Sequence, residues 1–194
     1  YTILPKEQEI IPKKFDGSIL VPYAVESALP GVEKTVGKDS VLWYQRSFVF
    51  SQGKQHPVTL LHFGAVDWQC DVFVNGKKVG THQGGYDPFS LDISAALTKE
   101  KLQEITVRVW DPTDEGPQPR GKQVKNPNGI WYTPVTGIWQ TVWLEEVAPT
   151  YIEKTQQVPD IDQQVLRVSA QVVNREPGDV LKTSAWDGNT LIAE

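Results

Sequence analysis

The stretch Asp67–Ser94, DWQCDVFVNGKKVGTHQGGYDPFSLDIS, decides how the rest of the chain is read. Val72, Phe73 and Val74 are β-branched or aromatic, as a strand prefers. Asn75-Gly76 supplies the two positive-φ positions of a type I′ turn, and Lys77 to His82 returns antiparallel, so the segment is predicted to be a hairpin. After it, Gly84-Gly85 followed by Tyr86 and Pro88 fixes one particular backbone path, which a mere connection would not need.

Working outward, Ile105, Val107 and Val109 alternate with Thr106, Arg108 and Trp110, the period of two that marks a half-buried strand. Residues 42–50, 58–63 and 140–145 have the same character. Turn residues punctuate them at Gly53, Asn75-Gly76, Asp111-Pro112 and Asn126-Pro127-Asn128-Gly129. Sustained helical periodicity is missing, with short hints only around residues 23–29 and 94–101. Many strands without intervening helices predict an all-β chain built as an antiparallel β-sandwich, with a jelly roll as first choice. Residues 1–13, carrying Pro5, Pro12 and mixed charge, are expected to form an extended N-terminal arm.

A new pattern starts at Pro149. Leu166, Val168, Ala170 and Val172 alternate with Arg167, Ser169, Gln171 and Val173, a turn falls at Pro177-Gly178, and a further strand runs over 180–186. Three or so strands hold too little core for a sandwich. Residues 14–148 are therefore expected to form one domain and 149–194 the first strands of a second, inside which the sequence ends. The absence of methionine, a starting one included, points to a processed or trimmed chain, with no signal peptide in view.

A net charge of -5 is the wrong sign for a nucleic-acid partner, whose phosphates call for clustered Lys and Arg. No apolar run approaches the 18 residues of a membrane span. The one cysteine, Cys70, lies among strand residues and reads as a buried, unpaired thiol. His56, His62 and His82 match no zinc or triad spacing, and no Gly loop of the phosphate-cradling kind is present. No metal, no cofactor and no catalytic residue is predicted. Acidic neighbours such as Asp111 with Asp114 and Glu115 carry little specificity, because loop carboxylates are normally solvated. Glu145 and Glu146 alternate across a strand and cannot share a face.

The seven tryptophans exceed what a core of this size needs. Indole stacks on the apolar face of a sugar while polar neighbours meet its hydroxyls, so a tryptophan on a loop is a sugar-binding signal. Trp43, Trp110, Trp143 and Trp186 lie in strands and are expected in the core or on a sheet face. Trp68 could be either. Trp131 and Tyr132 end a long aperiodic segment, DPTDEGPQPRGKQVKNPNGIWYTPVTG, and loops of that length are usually functional. Both the binding and the framework reading of Trp131 stay open on this ground.

LWYQRSFVF, LLHFGAVDWQCDVFVNGKKVGTHQGGYDPFSLDIS, ITVRVWDPTD and TGIWQTVWLEEV, in that order over residues 42–147, resemble the N-terminal domain of glycoside hydrolase family 2, which includes β-galactosidases, β-glucuronidases and β-mannosidases. The resemblance implies a galactose-binding-domain-like jelly roll, then an immunoglobulin-like sandwich, of which 149–194 would be the start, then a barrel. That barrel would act in cis on a carbohydrate substrate, retaining configuration through two glutamates about 5 Å apart. Both would lie outside this chain, which alone is predicted to be inactive.

In the family this domain edges the active site and touches the sugar of the first subsite. A polar family position before the aromatic strand falls on Asp39 or Ser40. An acidic one, six before Gly137-Ile138-Trp139, falls on Trp131, which suggests an apolar stacking wall; the arginine common after that motif is Gln140 here. Asp111, Asp114, Arg120, Lys122 and Gln123 are candidates to face substrate or barrel, with plain surface charge as the equal alternative. His82 and Tyr86 read as framework. A free-standing carbohydrate-binding module is the alternative function, and a structural or adhesion domain a more remote one. By family habit a periplasmic or extracellular setting is expected.

Overall fold

A computed structural model describes all residues except 51, 52 and 54–56. His56 therefore lies outside the described residues. The chain divides into two compact units, Tyr1–Val147 and Ala148–Glu194.

In the first unit the strands are β1 (Thr2–Pro5), β2 (Ser40–Val49), β3 (Val58–Phe63), β4 (Val66–Asp67), β5 (Gln69–Val74), β6 (Lys77–Gln83), β7 (Phe89–Asp92), β8 (Leu102–Trp110), β9 (Gly137–Ile138) and β10 (Val142–Val147). They form a five-stranded sheet in the order β1-β2-β8-β5-β6, a three-stranded sheet β10-β3-β7, and the short pair β4-β9. Every strand pair is antiparallel. Period-two alternation sends Cys70, Val72 and Val74 of β5 into one core with Leu42 and Tyr44 of β2, Leu61 and Phe63 of β3, and Val107 and Val109 of β8. This is the sandwich that the sequence predicts.

Asn75 and Gly76 take the positive φ values that the hairpin demands, 50° and 77°. The Asn75 side chain does more than permit the turn. Its amide donates to Ala96 O (2.9 Å) and Gln103 Oε1 (2.6 Å), and its Oδ1 accepts from Glu104 N–H (2.9 Å). Gln103, 1% exposed, also donates to the carbonyls of Thr98 and Glu100. A ladder of rings ties the sheets at one end: His82 stacks on Phe89 (4.0 Å), and Phe89 on Phe63 (4.8 Å).

Two expectations change. Within the predicted N-terminal arm, residues 2–5 are the edge strand β1, paired through Thr2↔Trp43 to Pro5↔Ser40. A proline is tolerated at the end of an edge strand, where no ladder hydrogen bond is lost. The following residues cross the outer face of the sheet, where Arg108 donates to Gln8 O and Lys6 O and the Lys6 ammonium sits 3.7 Å over the Trp110 ring. The helical hints give no α-helix: residues 21–31 form successive turns between Pro22 and Pro30, and only Ser94–Ala96 closes a 3-10 turn, because segments this short do not repay helix nucleation.

Among the strand tryptophans, Trp43 is fully buried and stacks on Phe73 (6.0 Å), whereas Trp143 is 45% and Trp186 62% exposed on sheet faces. The second unit holds two hairpins, β11 (Tyr151–Asp160) with β12 (Val165–Val173) and β13 (Ala185–Asp187) with β14 (Thr190–Ala193).

Candidate functional site

The segment from Asp111 to Thr136 leaves the end of β8 and returns to β9. Its base is built on three carboxylates brought together from separate segments. Asp111, 2% exposed, accepts from Thr113 N–H (2.8 Å) and Gln118 Nε2 (3.5 Å) at Oδ1 and from the Thr136 hydroxyl (2.9 Å) at Oδ2. Glu26 comes from the turns after β1 and accepts Thr136 N–H at 2.9 Å. Asp67, 3% exposed at the end of β4, accepts from Gln123 Nε2 at 3.2 Å. Gly85 lies so close above Asp67 that a β-carbon there would strike the carboxylate.

Burial disfavours the charged form of all three. It pushes the Glu26 carboxyl up to about 7 against its contacts with Thr136, and Asp67 up to about 7, with the neighbouring charge of Asp111 adding to the shift. Asp111 is raised as well, for the same reason. These groups hold the base of the loop.

Above the base, Gln123 is the pivot. Its amide also donates to the Tyr86 hydroxyl (3.3 Å), and its Oε1 accepts from Val135 N–H (2.7 Å). Tyr86 meets Trp139 edge-on at 6.1 Å, and Trp139 Nε1–H donates to Gly85 O at 2.8 Å, so the Gly84-Gly85-Tyr86 turn is clasped to β9. The distal loop closes on itself. Val124 N–H donates to Tyr132 O (3.0 Å), Tyr132 N–H to Lys122 O (2.8 Å) and Trp131 N–H to Asn128 O (3.0 Å). Its outer flank is held by Glu115, bridging Lys38 (2.7 Å) and Lys125 (3.2 Å).

The candidate residues thus separate. Trp131 and Tyr132 sit together at the tip, 39% and 65% exposed beside Ile130 at 66%, with the Lys122 ammonium 5.9 Å over the Tyr132 ring. Asp111 lies buried in the base. Asp114 accepts from Lys125 N–H (3.3 Å), and Arg120 donates to Asp114 O (3.5 Å), so both brace the loop. Asp39 is exposed at the start of β2, its carbonyl accepting from Lys6 N–H. His82 is occupied by its stack on Phe89 and a 3.2 Å contact to Gly84 O. No cluster of three or more metal-ligating side chains is found among the described residues.

Sequence reasoning passed over Glu26, Asp67 and Thr136. Asp67 had a signal: a carboxylate that follows Ala65-Val66 inside a strand is a candidate for burial.

The family model for glycosyl hydrolases family 2, sugar binding domain, matches residues 11–147. The chain belongs to glycoside hydrolase family 2. It is 28% identical over 154 residues to the β-galactosidase BoGH2A of Bacteroides ovatus, covering 76% of this chain and 15% of that one, and 31% identical over 121 residues to a β-galactosidase of Thermoanaerobacter pseudethanolicus, covering 62% and 16%. The structure of the FMN-binding β-glucuronidase of Facaelibacterium prausnitzii L2-6 superposes with a TM-score of 0.62 over 90% of this chain and 27% of that one at 16% identity, a likeness of fold. The chain therefore spans about 15% of the length of these two relatives.

Proposed function

We propose that residues 1–147 edge the active site of a retaining family 2 glycoside hydrolase, whose barrel carries the nucleophile and the acid/base in cis. The observation that carries this reading is the loop itself. Its base is fixed by Asp111, Glu26 and Asp67 under Thr136 and Gln123, yet its tip gives Trp131 and Tyr132 to solvent, where nothing in the sandwich needs them. A rigidly based, aromatic tip is suited to stacking on the first sugar of a substrate.

In this reading Trp131 and Tyr132 contact the sugar, and Asp111, Asp114 and Arg120 hold the loop in position. Asp39, polar and exposed, is the second contact. The enzyme encoded by the natural gene tests it. Trp131→Ala is expected to raise KM by about tenfold, the worth of a lost stacking contact, with the fold intact. An unchanged kcat/KM on every glycoside that the enzyme cleaves would overturn the role of the tip.

A further inference from the structure

Strand β2 places Leu42 and Tyr44 in the core, and alternation sends Arg46 and Phe48 to the same inner face of the sheet. Arg46 itself is exposed at the end of that row, and its guanidinium enters no salt bridge among the described residues. The acidic side chains of the facing strand β10 are engaged elsewhere, Glu145 with His62 Nε2 at 3.0 Å and Glu146 with Gly53 N–H at 2.6 Å.

Arg46 opens instead onto a cleft of about 540 Å³ between the two sheets, on the side where β10 is an edge. Its inner wall is apolar and closed: Leu61, Phe63 and Val107 are 1–2% exposed. Its mouth is open, with Arg46 and Gln45 exposed, Trp143 45% exposed and Leu20 56% exposed. An apolar inner end and the Arg46 guanidinium at the entrance, with Tyr1, whose ammonium donates to Gly17 O, on the same lining, are complementary to a molecule with one anionic head and an apolar body, and the volume is that of a small-ligand site.

We propose that this cleft binds a small organic carboxylate with an apolar body, the carboxylate paired with Arg46 at the mouth and the body lying between the sheets against Leu61, Val107 and Val142. The site is separate from the loop tip and does not depend on the glycosidase reading.

The test is calorimetric titration of the 194-residue chain with octanoate and, beside it, octan-1-ol. Octanoate is expected to bind at one site about tenfold more tightly than the alcohol, the worth of a charge-assisted hydrogen bond. Arg46→Met is expected to abolish that preference, and Arg46→Lys to keep most of it. Methyl resonances of Leu61, Val107 and Val142 are expected to shift on binding. Equal affinity for the alcohol and the carboxylate, or methyl shifts confined to residues after Val147, would overturn the proposal. Because the comparison of ligands is made on the native chain, it decides the matter even if the Met variant fails to fold.

Discussion

Asp67 shows how a single carboxylate can couple this loop to pH. In the unfolded chain it ionises near its ordinary 3.8, whereas burial holds it protonated up to about 7 in the folded one. Between those values the folded state binds more protons, so this group favours folding at low pH, and that contribution is lost as the pH rises to about 7. Asp67→Asn keeps an acceptor for Gln123 and removes the titration. Its thermal midpoint is expected to exceed that of the native chain at pH 8, by about 1–3 kcal/mol of stability, and to match it at pH 4. An equal gain at both pH values would assign the effect to packing.

Gly137 is the second telling residue. At φ 95° it packs against Tyr44, whose hydroxyl a β-carbon would strike and which accepts Ile138 N–H at 3.2 Å. Gly137→Ala is expected to cost about 2–4 kcal/mol, read by chemical denaturation. In the sequence Gly137 stands out only as part of a motif. A buried carboxylate such as Glu26 is written with the same letter as a solvated one, and its environment is set by Thr136, 110 positions away.

At the level of elements, strand periodicity made the sheets legible, because a face buried on one side leaves a period of two in the letters. The Asn75-Gly76 hairpin was legible for a different reason, since few residue pairs tolerate two positive φ values. What the letters concealed was long-range. Residues 2–5 read as an arm because a four-residue edge strand leaves hardly a period to detect, and Asn75 read as a turn former because its hydrogen bonds reach the 3-10 turn and the start of β8. Asn75→Gly separates these two roles. It retains the turn geometry and deletes three hydrogen bonds, with an expected cost of about 2–4 kcal/mol in equilibrium unfolding. A loss of a few tenths would mean that the turn conformation alone matters. The loop from Asp111 to Thr136 was recognisable by its length and its lack of period, but its anchoring was not, because Gln123, Asp67 and Tyr86 come from three separate segments.

Across the whole molecule, the two units differ in how much they bury. The first encloses a continuous core, whereas the second consists of paired strands with Leu166 57%, Val168 37% and Trp186 62% exposed. Two-stranded ribbons are marginal in water, so backbone amides of 151–193 are expected to exchange with solvent much faster than those of β2 and β8. Comparable protection in both units would contradict this. The sandwich itself carries a chemical clock. Cys70 is the only thiol in the chain, is 1% exposed, and is pushed up to about 12 by burial, so an alkylating reagent meets neither access nor thiolate while the core is closed. Each sulfur that reacts with iodoacetamide has belonged to a molecule whose core had opened, and the labelled fraction, weighed by mass spectrometry against time, counts those openings one molecule at a time.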